Sequence, residues 1–553
     1  MVLKVGFLAS LSLSVVYAHV LPRQAVSCPI LSSDERIDCG SVASSVSSCE
    51  ASGCCWSPVT DGGPWCYETT PLSFNRPTIP KRADIDAFIG NYLPFAVKGL
   101  EANIGGVGAP GAHPGAVVAA TSGDHSPNSG SQPDYYYHWS RDSSLVMRTL
   151  VEAYIDATTT SPDPAEAARL AAIIKSWISF EGGLKSIDTL AGTAASGDNI
   201  GEPKWEIDGT DFNQPWGRPQ DDGPGLRAHT MTLFLEAYLV ATGDSAYVKS
   251  VAGQIKYDLD YVLRHYQSAA SVDLWEERTS SFFYTHMAQH SGLVHGSAFV
   301  SSFLRDSTTA SQYVEAAKQL EATLENFWDG NRSMIAECFN VNDRSGRDIA
   351  TILAVNHNLV NGHGVFTAAQ DKVLQTSFKI AKGFRGHFQI NRKRINGAPA
   401  IGRYLEDVYN GADGVNNNGA GAWLLAINAM AEVYYRAALE LQNNGAAPVT
   451  SINQEFYAYL GIKAPAGSTL TGKDLANLVS QLVDEGDAYL DTLRFYLTAS
   501  GSHVMTEQIN PVTGVLQGAP NLTWSYASLI TVARARNAIL NKSTTPPPPT
   551  TTT

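Results

Sequence analysis

Apolar residues recur along this chain at the three-to-four-residue spacing that lines one face of a helix, and turn residues close the runs. Leu170, Ile173, Ile174, Trp177 and Ile178 follow Pro164, a residue suited to a first helical turn. Tyr313, Ala317, Leu320, Leu324 and Trp328 repeat the pattern ahead of Gly330, and the run from Leu226 to Thr242 stops at Gly243. Trp423 to Gln442 stops at Asn443-Asn444-Gly445, while Leu475, Leu478, Val479, Leu482 and Val483 mark another amphipathic face. Strand-like alternation is scarce and short. The stretches between the helical patterns are long and rich in Gly, Asp and Trp, and long loops in a compact domain usually carry function. The pattern predicts an all-α domain with its chemistry on the loops.

The start of the chain departs from this pattern. Lys4, the apolar run Val5 to Val16 and the small-residue signal Val16-Tyr17-Ala18 read as a secretory signal peptide over residues 1–18, cut before His19. That run is too short for a membrane span of about 20 residues, and no other stretch is long enough. Export to the extracellular space as a soluble protein fits sequons at Asn331, Asn521 and Asn541. A net charge of −14 and a pI near 5.4, without a basic run, argue against nucleic acid and anionic membranes as partners. A monomer is expected. At 553 residues the chain suits one large barrel plus a small module.

The small module comes first. Six of the seven cysteines are Cys28, Cys39, Cys49, Cys54, Cys55 and Cys66, in a segment too short to bury a core unaided. In an exported chain an even count at this density implies three disulfides, their connectivity left open; zinc ligation is the weaker reading in an oxidising compartment. Arg36-Ile37-Asp38-Cys39-Gly40, then Cys49, Cys54-Cys55-Trp56 and Trp65-Cys66-Tyr67 resemble a trefoil (P-type) domain over residues 26–69. The resemblance implies the pairs Cys28–Cys55, Cys39–Cys54 and Cys49–Cys66. It also implies an aromatic cleft at Trp56, Trp65 and Tyr67 that suits a glycan ligand, with a structural spacer as the equal alternative. Residues 70–82, which contain prolines, read as a linker. The seventh cysteine, Cys338, reads as a buried free thiol.

Chemistry concentrates in two carboxylate clusters. Asp273, Glu276 and Glu277 fall within five residues beside Trp275, and like charges this close push at least one carboxyl toward protonation. Far downstream, Gly402-Arg403-Tyr404-Leu405-Glu406-Asp407 again sets paired acids beside an aromatic and a base. Two separated carboxylate groups suggest hydrolysis of a glycosidic bond.

The loops that carry these clusters resemble, in one order, those of fungal glucoamylases of glycoside hydrolase family fifteen. They are Asp134-Tyr135-Tyr136-Tyr137-His138-Trp139-Ser140-Arg141-Asp142-Ser143, Gly201-Glu202-Pro203-Lys204 with Trp216-Gly217-Arg218-Pro219-Gln220, the two acid clusters, and Leu522-Thr523-Trp524-Ser525-Tyr526-Ala527. The resemblance implies an (α/α)6 barrel over residues 83–541. It implies an exo-acting hydrolase that removes glucose from starch, glycogen and maltooligosaccharides by α-1,4 and, more slowly, α-1,6 cleavage with inversion, needing neither cofactor nor metal. Glu276 then matches the general acid, Glu406 the general base and Glu277 a substrate-binding neighbour, while Asp273 is an alternative proton acceptor or a tuner of Glu276. Arg141 and Asp142 match the grip on the terminal sugar. Tyr135, Trp139, Trp216 and Trp423 match the cleft aromatics, and Arg385 a further sugar-binding arginine, with Arg218 and Asp222 as weaker candidates.

Two departures stand out. The family's Gly-Asn-Pro-Trp is replaced by a loose run from Ala412 to Ala422 before Trp423, and the chain ends in a Thr/Pro-rich tail at 542–553 where a starch-binding domain often follows. A trehalase or glucodextranase on the same barrel, or an idle glycan-binding protein working through its trefoil, are the competing readings. Retention of Glu276, Glu406, Arg141 and Asp142 speaks against the idle one.

Overall fold

The computed structural model describes residues 27–39, 45–59, 63–123, 133–339, 344–358, 365–411 and 420–543. The expected signal peptide lies outside these residues, as does the tail from 544 onward. Twelve helices form the body: α1 (Arg82–Ala102), α2 (Ser140–Thr158), α3 (Pro164–Leu184), α4 (Asp222–Thr242), α5 (Ser245–His265), α6 (Phe283–Phe299), α7 (Ser307–Glu325), α8 (Ala350–His357), α9 (Asp371–His387), α10 (Leu424–Asn444), α11 (Gly472–Ser500) and α12 (Thr523–Ser543). The even-numbered helices touch in sequence and α12 closes back onto α2, giving an inner ring; the odd-numbered ones pack around it. This is the alternating outer-and-inner order of an (α/α)6 barrel.

Residue pattern explains the two layers. In α4 every residue from Asp222 to Thr232 is buried, and in α6 every residue from Phe283 to Leu293, because an inner helix has neighbours on all sides. An outer helix needs one apolar stripe: α5 buries Val248, Ala252, Ile255, Leu259 and Val262 at helical spacing. Each Val, Ile or Leu among them contributes about 1.5–3 kcal/mol when fully buried. Gly243 and Gly445 end α4 and α10 in the left-handed conformation, where the apolar runs stop. The helix read through Trp328 ends earlier, at Glu325, because Trp328–Asp329 turns to pair with Met334–Ile335.

Two-residue β-ladders then stitch the loops that lead into the inner helices. Trp139 stands opposite Lys204, and Trp423 opposite Gln508. The loops thereby converge at the N-terminal ends of the inner ring.

The N-terminal module holds three disulfides, Cys28–Cys55, Cys39–Cys54 and Cys49–Cys66, which is the pairing that the trefoil resemblance implies. A short helix, Val46–Ala51, and the antiparallel pair Cys55–Trp56 with Cys66–Tyr67 complete it. Residues 70–82 are not a free linker. Phe74 stacks on Tyr459 with ring centroids 5.2 Å apart, Arg76 donates to the Gln481 carbonyl at 3.1 Å, and the Thr78 amide donates to the Asn396 carbonyl at 2.7 Å. Among the described residues no helix is long and apolar enough to cross a membrane.

Candidate active site

Where the loops meet, a cleft of ≈ 280 Å³ opens, of a size for small-molecule binding. Aromatic rings and charged groups share its lining: Tyr135, Trp139, Trp216, Trp275, Tyr409, Trp423 and Trp524 with Arg141, Asp142, Glu276, Glu277, Arg403 and Glu507. One wall is braced by Lys204, whose ammonium lies 4.0–4.6 Å from the ring centroids of Tyr137, Trp139, Phe212 and Trp216. A cation against ring faces is attracted by their quadrupoles, so this lysine fixes the aromatic wall.

Glu276 sits at a turn with φ 66°, a left-handed conformation that non-glycine residues adopt at a cost. Its own amide donates to the Asp273 carbonyl at 2.9 Å, and the Asp273 carboxylate accepts the amides of Glu277 (2.7 Å) and Arg278 (3.0 Å). The turn aims the Glu276 carboxyl into the cleft. There Oε1 accepts from the Trp139 indole at 2.8 Å and from Gln220 Nε2 at 3.0 Å. Gln220 in turn accepts from Arg141 at 2.9 Å, and Arg141 also donates to Asp222 at 3.0 Å. Burial pushes the Asp142 carboxyl up to about 6, against the pull of Arg141.

Glu277 points to the other side of the turn. It accepts from Arg344 and Arg403, each at 2.7 Å, and from the Tyr404 hydroxyl. Burial opposes its ionisation, but Arg403, Tyr404 and Arg344 together hold it below the ordinary carboxylate value. Arg403 is itself fixed by two bonds to Asp407, at 2.6 and 2.7 Å.

Glu507 enters from the loop between α11 and α12. The Tyr135 hydroxyl and the Ala519 amide approach its carboxylate and favour the ionised form, without reaching close hydrogen-bond geometry. Gly411 and Gly518, both at positive φ, make room for it: a β-carbon would stand 2.7 Å or 2.6 Å from Oε2. Burial pushes this carboxyl up to about 7. The Tyr135 hydroxyl, bonded to that of Tyr409 at 2.6 Å, is raised well above its ordinary value by burial and then by Glu507, Tyr409 and Glu276, so it senses both cleft carboxyls.

Residues 95–534 match glycosyl hydrolases family 15. The chain belongs to this family. Residues 28–69 match the trefoil (P-type) domain. Among the family's members, Glucoamylase 1 of Rhizopus oryzae is 34% identical over 435 residues, covering 77% of this chain and 67% of its own length. Glucoamylase-1 of Schizophyllum commune is 34% identical over 466 residues, covering 83% and 75%. In three dimensions the family 15 glucoamylase from Hypocrea jecorina superposes with a TM-score of 0.73 at 30% identity, covering 84% of this chain and 75% of that one.

Within this family 15 barrel the structure brings Glu276, Glu277, Arg141, Asp142, Tyr135, Trp139, Trp216 and Trp423 to one cleft. Five expectations need correction. Glu406 is absent from the lining; its half-buried carboxylate accepts from the Ser345 amide at 2.9 Å and hydroxyl at 3.3 Å. Asp273 organises the turn rather than facing the cleft, and burial raises its carboxyl. Arg385 is fully buried, donating to the carbonyls of Asn391 (3.2 Å), Arg394 (3.3 Å) and Gly397. Arg218 pairs with Glu202 outside the lining, and Asp222 anchors Arg141 from below. Of the sequons, Asn331 and Asn541 are exposed, whereas Asn521 is half-buried with Nδ2 donating to Thr121 at 2.8 Å. Cys338 is a buried free thiol.

Sequence reasoning missed Glu507 as a site residue, and did not assign roles to Arg403, Tyr409 and Lys204. The one local signal for Glu507 was a lone acid between polar neighbours, Thr506 and Gln508, shortly before the Leu522-Thr523-Trp524 motif.

Proposed function

We propose that this chain is a secreted glucoamylase that releases β-glucose from the non-reducing ends of starch-like chains and maltooligosaccharides, with Glu276 as the general acid and Glu507 as the general base. The observation that carries the reading is the contrast between these carboxyls in one cleft. Glu276 Oε1 is occupied by two donors, which leaves Oε2 to carry a proton to the glycosidic oxygen. Glu507 has no close hydrogen bond on either oxygen among the described residues, which leaves lone pairs to take a proton from an attacking water. A base acting on water, rather than a nucleophile bonded to sugar, gives inversion and no covalent intermediate. Glu277, kept ionised by Arg344 and Arg403, joins Arg141 and Asp142 in binding sugar hydroxyls, since carboxylate and guanidinium supply complementary acceptors and donors. The aromatic wall suits the apolar faces of glucose rings. Disulfides in the small module fit an oxidising, extracellular setting.

Product analysis on maltose, isomaltose, trehalose and soluble starch tests the proposal, with proton NMR read before mutarotation. Glucose released first as the β-anomer, maltose and starch ahead of trehalose, is expected. Trehalose cleaved fastest would make the enzyme a trehalase on the same barrel, α-glucose first would refute inversion, and no turnover at all would leave only the glycan-binding reading.

A further inference from the structure

The N-terminal module sits on the same end of the barrel as the cleft. Outer helix α9 runs toward that end, and its last turn, with the corner that follows, leads directly into the loop carrying Arg403 and Trp423. The module rests on this turn. A β-carbon at Gly386 would stand 2.9 Å from the Arg36 carbonyl oxygen and 3.3 Å from a Leu72 methyl, so only glycine lets the module approach so closely. Arg392, in the short helix Gln389–Lys393, donates from one nitrogen to the Asp38 carbonyl at 3.3 Å and to the Gly386 carbonyl at 2.9 Å, tying module and helix end together. The Thr78 amide pins the segment after the module to Asn396 in the same corner.

From that corner a continuous set of bonds reaches the cleft. Asn391 donates to the carbonyls of Phe384 (2.7 Å) and Ala400 (2.9 Å) and accepts the Ala400 amide at 2.7 Å, clamping the end of α9 to the segment that precedes Arg403. Buried Arg385 holds three carbonyls of the same loop. The rings of Phe384 and Phe388 close over Gly402, where a β-carbon would meet them at 3.1 and 2.9 Å. The next residue is Arg403, whose guanidinium bridges Asp407 and Glu277 in the cleft lining.

We infer that the trefoil module is a fixed brace of the catalytic face, docked on Gly386 and Arg392 and positioning Arg403 through the Asn391–Ala400 clamp. The barrel side supplies the specific residues, a glycine and an arginine, whereas the module offers backbone carbonyls of Arg36 and Asp38. The inference rests on the reading that Glu277, held by Arg403, binds sugar in the cleft; hydrolysis of maltose by the unmodified chain checks that reading separately.

The test uses the full chain with Gly386→Val, which wedges the seat, and Arg392→Met, which removes the tie without adding bulk. Arg392→Lys, which can still donate, is the rescue. Two readouts are taken: protease cleavage within residues 70–82, which reports undocking, and KM and kcat for maltose per folded molecule. Both disruptive variants should expose the segment and raise KM roughly 3- to 10-fold with kcat within about twofold, the pattern of a lost binding contact, and Arg392→Lys should restore KM. Exposure of the segment with KM unchanged would overturn the proposal, since the module would then be independent of the cleft. So would a segment as protected as in the unmodified chain, because Gly386 and Arg392 would not be the seat. A loss of activity tracking only the folded fraction would overturn it too, reducing the module to a stabiliser. Should Gly386→Val fail to fold, Arg392→Met decides alone.

Discussion

Replacing each candidate base by its isosteric amide separates Glu507 from Glu406. Glu507→Gln removes a carboxylate with no close hydrogen bond from the described residues, in a space cut by Gly411 and Gly518 to the size of the side chain. The amide fits the same volume, so folding should be unharmed. At pH 7.5, where part of the cost of burying a charge is relieved, Tm should be equal or higher. Activity should collapse. General-base assistance is worth about 10²- to 10⁴-fold, roughly 3–5 kcal/mol at about 1.4 kcal/mol per tenfold, and it should appear in kcat with KM little changed. Glu406→Gln is the mirror case. Its carboxylate is held by the Ser345 amide and hydroxyl, so the change weakens charge-assisted bonds worth about 1–3 kcal/mol of stability and leaves kcat within a few-fold. Initial rates of glucose release from maltose, with thermal unfolding of the same samples, give both readings. Azide adds a positive control: in Glu507→Ala the small anion should restore turnover by attacking from the vacated side, yielding β-glucosyl azide. A more than 100-fold fall in kcat for Glu406→Gln, with Glu507→Gln near the unmodified rate, would refute the assignment.

Other outcomes follow from the same geometry. Trp139→Phe removes the indole donor to Glu276 Oε1, a hydrogen bond worth about 0.5–1.5 kcal/mol, and should lower kcat about 2- to 10-fold; an unchanged kcat would show that the bond is idle. Gly518→Ala puts a methyl against Glu507 Oε2 at positive φ and should cost about 1–3 kcal/mol in strain and displace the base, measurable as lower Tm and lower kcat together. Stability should fall as pH rises from 5 to 8. Burial holds Glu337, Glu485 and Glu507 each at about 7 in the folded state, above their unfolded values, so the folded chain binds more protons and loses that advantage on passing through neutrality. A Tm rising monotonically over that range would contradict the assignment of burial to these groups. The acid limb of kcat/KM should likewise lie above that of an ordinary carboxylate, because Glu507 must be ionised to act.

Legibility in the sequence followed locality. The outer helices show one apolar stripe each, and the stripe of α3 or α5 can be read because its period comes from the helix itself. The cysteine spacing and the Arg-Asp and Trp-Glu-Glu groups are likewise contiguous, so residue types and intervals carry them. Residues that act alone were not legible. Glu507 has no acidic neighbour in sequence, and it reaches the cleft because Gln508 pairs with Trp423 across a two-residue ladder. Glu406 misled for the opposite reason: it stands three residues from Arg403, and the turn of the chain sends Arg403 into the cleft and Glu406 to Ser345. Arg385 misled in the same way, because an arginine that satisfies three backbone carbonyls and one that binds sugar look alike until its surroundings are known.

The amino-acid sequence by itself determined the helical segments, the disulfide-rich module and the clustering of Glu276 with Asp273 and Glu277, since each depends on residues a few positions apart and on backbone periodicity. Only the tertiary structure brought Glu507 to the cleft, seated the module on Gly386 and packed residues 70–82 against the barrel. These depend on contacts between residues more than 80 positions apart, such as Gln508 with Trp423 and Arg392 with Asp38. Whether a carboxyl is bare or hydrogen-bonded, and so whether it can take a proton from water, is fixed by such neighbours and not by its place in the chain.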